Sequence, residues 1–68
     1  MKVFVNGEQR EVPDAARLGD VVAGPGGEPA RRGIAVAVDG VVVPRARHAE
    51  TVLSAGARIE IVTAVQGG

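Results

Sequence analysis

The last ten residues of the chain, 59–68, read IEIVTAVQGG. Ile59, Ile61, Thr63 and Val65 alternate with other side chains, so they share one face of a predicted β-strand. The segment before this strand is long enough to supply a crossover, which allows the last strand to lie parallel to the first one. We therefore expect the two ends of the sequence to meet at the centre of one sheet.

A hairpin is predicted at the start of the chain, where residues 1–12 read MKVFVNGEQREV. Asn6-Gly7 is a favoured pair for a tight hairpin turn, because both central residues of that turn need a positive φ. Val3 and Val5 then share one face of the first strand, and Phe4 lies on the other. The single aromatic residue of the chain is thus expected to face away from the core. There it is a candidate for a partner surface, or it is covered by a loop or simply exposed.

A second hairpin is predicted over residues 33–44, which read GIAVAVDGVVVP. Asp39-Gly40 supplies its turn. The branched residues of IAVAV alternate with alanines, a pattern that is typical of a half-buried strand with small residues on its outer face. Pro44 should end the returning strand, because proline cannot donate a ladder hydrogen bond.

One short helix is predicted between the two hairpins, with Asp14 as its N-cap. Leu18, Val21 and Val22 follow at the i, i+3, i+4 spacing of an amphipathic helix. Gly19 interrupts this pattern and weakens the helix by about 1 kcal/mol relative to alanine.

Two connecting segments show no regular pattern. From Arg45 to Ala57 the periodicity is lost, and we expect an irregular crossing with Val52 and Leu53 as its buried contacts. The stretch 24–29, GPGGEP, is rich in glycine, but no Lys-Ser/Thr pair and no predicted helix follow it. We therefore expect a plain connection there and not a phosphate-binding loop.

The predicted order is two strands, one helix, two strands, an irregular crossing and a final strand. One helix packed on one face of a mixed sheet buries the apolar faces of both layers. The sequence thus predicts an α+β fold, a ubiquitin-like β-grasp with a sheet of four to five strands. We expect a single domain over residues 1–68, with 65–68 as a flexible C-terminal tail.

Composition excludes several classes of function. The 68 residues contain no cysteine, and 8 basic groups balance 8 acidic ones, so neither a thiol site nor a basic nucleic-acid surface is predicted. Apolar runs fall well short of the roughly 18 residues of a membrane span, and Met1 leads directly into a strand without a signal sequence. We expect a cytoplasmic protein that binds neither nucleic acid nor membranes.

Reactive groups are scarce in this sequence. His48 has no cysteine, aspartate or second histidine at the spacing of a metal site or catalytic triad, so we expect a surface or half-packed residue. The terminal Gly67-Gly68 pair is more informative. Two residues without a Cβ make the chain end narrow and leave its carboxylate accessible. Such an end suits chemistry that another protein performs on it.

Two segments of the chain closely resemble the sulfur carrier proteins of thiamine (thiazole) biosynthesis. They are GIAVAVDG at 33–40, followed by VVPR at 42–45, and the ending IEIVTAVQGG at 59–68. Three positions depart from the family pattern: His48 stands where tryptophan is frequent, Ala57 where aspartate is usual, and Gly19 interrupts the helix. None of the three lies in the tail.

The resemblance implies that the chain is a carrier and not an enzyme, with no cofactor and no metal bound. In the family, an adenylating enzyme uses ATP to activate the terminal carboxylate, here on Gly68. Sulfur from a cysteine desulfurase or another persulfide donor then yields a thiocarboxylate, and thiazole synthase takes up that sulfur. Val65, Gln66 and Gly67 would be tail positions that partners recognise, and Arg45 and Arg47, with Phe4, are candidate partner contacts.

Two alternatives stay open at this point. The chain could be a β-grasp carrier for another pathway, such as molybdopterin synthesis, cysteine synthesis or tRNA thiolation. It could also be a β-grasp module that binds proteins and whose tail is never activated, since a fold does not determine a function.

Overall fold

The computed structural model describes residues 1–23 and 33–63. Its strands are β1 (Lys2–Val5), β2 (Glu8–Glu11), β3 (Ile34–Val38), β4 (Val41–Val42) and β5 (Arg58–Thr63). One α-helix, α1, spans Leu18–Val22, and a 3-10 helix spans Arg45–Glu50. The predicted glycine-rich connection at 24–29 and the tail at 65–68 lie outside the described residues.

The five strands form one mixed sheet in the order β2-β1-β5-β3-β4. β1 and β5 are parallel neighbours, with Phe4 opposite Arg58, while the other strand pairs are antiparallel. The predicted meeting of the first and last strands at the centre of the sheet is therefore confirmed. Because β5 has neighbours on both sides, its backbone is held along much of its length.

Both predicted hairpin turns are present with the expected backbone geometry. Asn6 and Gly7 have φ values of 51° and 84°, and Asp39 and Gly40 have values of 50° and 84°. Positive φ at both central residues matches the twist of the flanking strands. β4 ends at Val42, two residues before Pro44, as the proline predicts.

The core lies between α1 and one face of the sheet, here called the inner face. Its fully buried side chains are Val3, Leu18, Val36 and Ile59, and Val5, Leu53 and Ala57 join them in one cluster. The alternation of β1, β3 and β5 in the sequence predicts the strand members of this set. The small number of large side chains is what a chain of this size can bury.

The predicted N-cap of the helix is wrong. α1 begins at Leu18 with Arg17 as its N-cap residue, and the Asp20 carboxylate accepts a hydrogen bond from the Arg17 N–H at 3.0 Å. Asp14 lies before the helix, 3.3 Å from the amino group of Met1. The Arg17 N–H at the start of the helix is thus satisfied by an aspartate within the first turn, and not by an aspartate that precedes the helix.

The segment after β4 is more regular than the sequence predicts, and one of its two expected core contacts is wrong. The segment starts as a 3-10 helix and then pairs with the residues before α1 in an isolated antiparallel bridge, Arg17 to Val52. Leu53 is buried as expected, but Val52 is 56% exposed. The bridge explains the difference, because neighbouring residues of an extended segment point to opposite sides.

Candidate functional site

The strand that leads to the C-terminal tail runs from the core to the surface. Ile59 is fully buried, Ile61 is half-buried and packs on the core, and Thr63 is exposed. The alternation predicts that these three side chains share one face, and the gradient along that face shows that β5 leaves the core towards Thr63. The tail residues Val65, Gln66, Gly67 and Gly68 lie outside the described residues, so their predicted roles stay predictions.

Each hairpin turn holds β5 through a side chain. On the β1 side, Asn6 Oδ1 accepts a hydrogen bond from the Ile61 N–H at 2.8 Å, and Asn6 Nδ2 donates to the Ile61 carbonyl at 3.3 Å. On the β3 side, Asp39 Oδ1 accepts from the Arg58 N–H at 3.0 Å. The first residue of β5 and the fourth are thus fixed from opposite sides. The sequence predicts that these two residues lie in turns, but their contacts with β5 are not predictable from it.

Phe4 lies on the sheet face opposite α1, here called the outer face. Val3 and Val5 on either side of it are 0% and 6% exposed and point into the core, whereas Phe4 is only partly buried. Its backbone N–H donates to the Ala57 carbonyl at 2.9 Å, which places the ring beside the start of β5. The predicted orientation of Phe4 is confirmed, and its predicted contact with a partner stays a prediction.

The outer face also exposes apolar side chains that the sequence analysis did not select. Val62 is 60% exposed and lies opposite Ala35 of β3, while Val42 is 67% exposed and lies opposite Ala37. Val62 is adjacent to the inward-facing Ile61, so strand alternation alone could have found it. Apolar side chains on the outer face thus come from four strands: Phe4 from β1, Val62 from β5, the two alanines from β3 and Val42 from β4.

The two candidate arginines lie elsewhere on the molecule. Arg45 and Arg47 are exposed on the 3-10 helix, and Arg47 Nη1 is 3.8 Å from Glu50 Oε1. Since this helix packs against α1, both arginines belong to the helical layer and not to the outer face. The structure therefore does not bring the candidate partner residues together on one surface.

His48 is buried, so the expectation of a surface or half-packed residue is wrong. Its side chain is 6% exposed, and its Nε2 lies 3.0 Å from the Val43 carbonyl oxygen. A carbonyl oxygen only accepts hydrogen bonds, so Nε2 carries the proton and donates. Nδ1 is buried without a hydrogen-bond partner. The ring joins the 3-10 helix to the end of the second hairpin, where a substrate cannot reach it.

Residues 1–23 and 33–63 contain no group of three or more histidine, aspartate or glutamate side chains that could hold a metal ion. In the same ranges, no helix is both long and apolar enough to cross a membrane.

Comparison with known proteins agrees with the family that the sequence resembles. The model of the ThiS family matches residues 3–68. No curated protein shows significant sequence similarity to the chain. Among solved structures, the chain is similar to the crystal structure of a thiamine biosynthesis protein (ThiS) from Geobacter metallireducens, with 24% identity, a TM-score of 0.67 and 100% of both chains covered. That likeness supports the β-grasp fold, and the family match over nearly the whole chain shows that the protein belongs to the ThiS family.

Proposed function

We propose that the chain is a sulfur carrier for thiazole formation in thiamine biosynthesis and that its reactive group is the carboxylate of Gly68. The observation that supports this most is the extent of the family match, which runs through β5 to Gly68. The fold is compatible with the proposal, because β5 is anchored at the centre of the sheet and its exposed end, Thr63, leads to the tail.

The chemistry of a carboxylate explains why such a carrier needs activation. A C-terminal carboxyl group has an ordinary pKa of about 3.5, so it is ionised at neutral pH and resists nucleophilic attack. In the proposed first step, a carboxylate oxygen of Gly68 attacks the α-phosphorus of ATP, which forms an acyl-adenylate and releases pyrophosphate. Sulfur from a persulfide donor then attacks the carbonyl carbon, and AMP leaves with the bonding electron pair. Reductive cleavage of the resulting sulfur–sulfur bond by a thiol leaves the thiocarboxylate.

In this proposal the carrier is a protein co-substrate, and three partners act on it. An adenylating enzyme activates Gly68, a cysteine desulfurase or another persulfide donor supplies sulfur, and thiazole synthase consumes it. Val65, Gln66 and Gly67 would bind in partner grooves through their backbones, as in strand addition. Phe4 on the outer face would contribute to docking of the folded body.

Intact-protein mass spectrometry tests the proposal directly. The full chain is incubated with the ThiS-specific adenylating enzyme, ATP and a desulfurase with cysteine, and its C-terminal peptide is then sequenced. We expect an AMP adduct when sulfur is withheld and replacement of one terminal oxygen by sulfur when it is supplied. A chain that acquires neither modification would contradict the proposal and favour a binding module.

A second measurement decides the pathway. The thiocarboxylated chain is supplied in parallel to thiazole synthase and to the large subunit of molybdopterin synthase, each with its own acceptor substrate. We expect sulfur transfer only with thiazole synthase. Transfer only to the molybdopterin precursor would keep the carrier chemistry and overturn the assignment to thiamine biosynthesis.

A further inference from the structure

The parallel ladder between β1 and β5 continues past the point where β1 ends. Phe4 N–H donates to the Ala57 carbonyl at 2.9 Å, and Asn6 N–H donates to the Ile59 carbonyl at 2.8 Å. In a parallel pair, the next bond would join the Ile61 N–H to the backbone carbonyl of Asn6. The Asn6-Gly7 turn diverts the backbone at this point, and the side-chain carbonyl of Asn6 accepts that bond instead.

The Asn6 carboxamide acts here as a substitute peptide group. Its oxygen accepts from the N–H of Ile61, and its nitrogen donates to the carbonyl of the same residue. Two bonds to one residue fix both the position and the orientation of that peptide segment. These contacts join residues 55 positions apart, so they are tertiary contacts and not part of the local turn.

Ile61 is the last residue of β5 for which the described residues show a bond from the β1 side. Gly68 follows it by seven residues, which span at most about 25 Å when fully extended. On the other side, β5 stays paired with β3 as far as Thr63, which lies opposite Ile34. Asn6 thus holds this end of β5 from the β1 side, and the direction in which the strand ends affects which positions the terminal carboxylate can reach. Without a hydrogen-bond partner on the β1 side, Ile61 would be held less firmly and the chain beyond it would take a wider range of directions. A smaller fraction of docked carriers would then have the carboxylate in place for attack.

We propose that Asn6 is a positioning residue for the chemistry at Gly68, acting through its two hydrogen bonds to Ile61. This inference rests on the proposed carrier function and adds a residue that influences the direction in which the chain continues after β5. Asn6 is suited to the role because asparagine tolerates the positive φ of the turn and carries both a donor and an acceptor. Glycine satisfies only the first need, and aspartate keeps the turn and the acceptor but not the donor.

The second hairpin supplies a matched control. Asp39 also occupies the first central position of an Xaa-Gly turn and also accepts a hydrogen bond from β5. It holds Arg58, the first residue of the strand, at the end remote from the tail. Asn6→Gly and Asp39→Gly thus create the same Gly-Gly turn and each release β5, but at opposite ends of the strand.

The test measures amide hydrogen exchange and adenylation kinetics on the wild-type chain and on the variants N6G, N6D and D39G. We expect N6G to lose protection at the Ile61 amide, with kcat for adenylation lower by roughly tenfold and KM little changed. D39G should lose protection at Arg58 and keep the wild-type kcat. N6D should lie between N6G and the wild type in both measurements, because it retains the acceptor.

The outcomes separate this inference from the function on which it rests. A wild-type chain that is never adenylated overturns the proposed function and the inference with it. A wild-type chain that reacts while N6G keeps its full kcat overturns the positioning role alone. Loss of stability without a positioning role would raise the apparent KM through a smaller folded fraction and leave kcat unchanged, which also overturns it. If N6G does not fold at the assay temperature, N6D decides by the same criteria.

Discussion

Gly19 lies in α1 at the point where the helix meets the 3-10 helix. A Cβ built on it would be 3.4 Å from the His48 carbonyl oxygen and 3.5 Å from the Ala49 Cα, which are ordinary van der Waals distances. Helix propensity makes this glycine a weak point of the helix, and in the structure a methyl group fits at this position. The contact therefore tolerates a side chain that helix propensity favours.

We predict that Gly19→Ala stabilises the fold by about 0.5–1 kcal/mol, because alanine loses less backbone entropy in a helix. Urea denaturation of the variant and the wild type measures the difference. Gly40→Ala is the control: its site is open, but its φ is +84°, so alanine should destabilise by about 1 kcal/mol. A less stable Gly19→Ala variant would show that the two helices cannot adjust to the methyl group.

His48 stands at a position where the resemblance to the family implies tryptophan. Imidazole and indole each carry a ring N–H that can donate to a carbonyl oxygen, and His48 makes that bond to Val43. In this chain the position holds a flat ring whose N–H donates to a backbone carbonyl. Ala57 is also buried, and Gly19 lies against the 3-10 helix. All three positions that depart from the family pattern are therefore packing positions.

We predict that His48→Ala destabilises the chain by about 2 kcal/mol or more, since it leaves a cavity and removes the donor to the Val43 carbonyl. Arg45→Ala, three residues away on the same 3-10 helix, should change stability by less than about 0.5 kcal/mol because Arg45 is exposed. Thermal or urea unfolding of both variants provides the comparison. Equal stabilities would mean that the ring is not part of the packed interior.

At the scale of elements, β1 directs neighbouring side chains to opposite faces of the sheet. Val3 and Val5 anchor it to the core, and Phe4 lies on the outer face. We predict that Phe4→Ala weakens binding to the adenylating enzyme by roughly tenfold and lowers stability by less than Val3→Ala does. Affinity measurements and urea unfolding on both variants test this. Loss of several kcal/mol without a change in affinity would place Phe4 in the core.

The bridge between Arg17 and Val52 determines which side chains of its segment enter the core. The Leu18 N–H donates to the Thr51 carbonyl at 2.8 Å, and the Leu53 N–H donates to the Ala16 carbonyl at 2.9 Å. These bonds position Leu18 and Leu53 inward and leave Val52 outside. One short bridge thus connects the start of the helix to the segment before β5.

We predict that Leu53→Ala costs about 2–4 kcal/mol of stability, whereas Val52→Ala costs less than about 1 kcal/mol. Leu53 is 4% exposed and Val52 is 56% exposed, so the two adjacent truncations differ mainly in burial. Equilibrium unfolding of the two variants tests the difference. If the two costs were equal, the bridge would not define the inward side of this segment.

At the scale of the whole molecule, the members of the core cluster within residues 1–23 and 33–63 all precede Thr63. We predict that deletion of Gly68, or extension of the chain beyond it, abolishes sulfur transfer and leaves the fold intact. Transfer is measured as thiazole formation with the partner enzymes, and folding by urea denaturation. Wild-type thiazole formation by either variant would contradict a role for the Gly68 carboxylate, and a large loss of stability would show that the tail contributes to the fold.

Much of the architecture is predictable because it is encoded in neighbouring residues. The Asn-Gly and Asp-Gly pairs predict both turns, and the alternation in β1, β3 and β5 predicts which side chains are buried. The position of Asp14 and the side of Val52 are not predictable in this way. Both depend on how the residues before α1 pair with the segment that follows the 3-10 helix, and this pairing joins residues 35 positions apart, from 17 to 52.

By itself, the sequence determined the strands and the turns, because these rest on local backbone preferences and side-chain alternation. It also indicated the parallel centre of the sheet, because the segment between the first and last strands is long enough for a crossover. Only the tertiary structure decided that His48 is buried, that the arginines and Phe4 lie on different layers, and that Asn6 holds Ile61. The physical reason is that these features arise where distant segments meet. Burial and hydrogen bonding there depend on which layers come into contact, and not on the order of residues within any one segment.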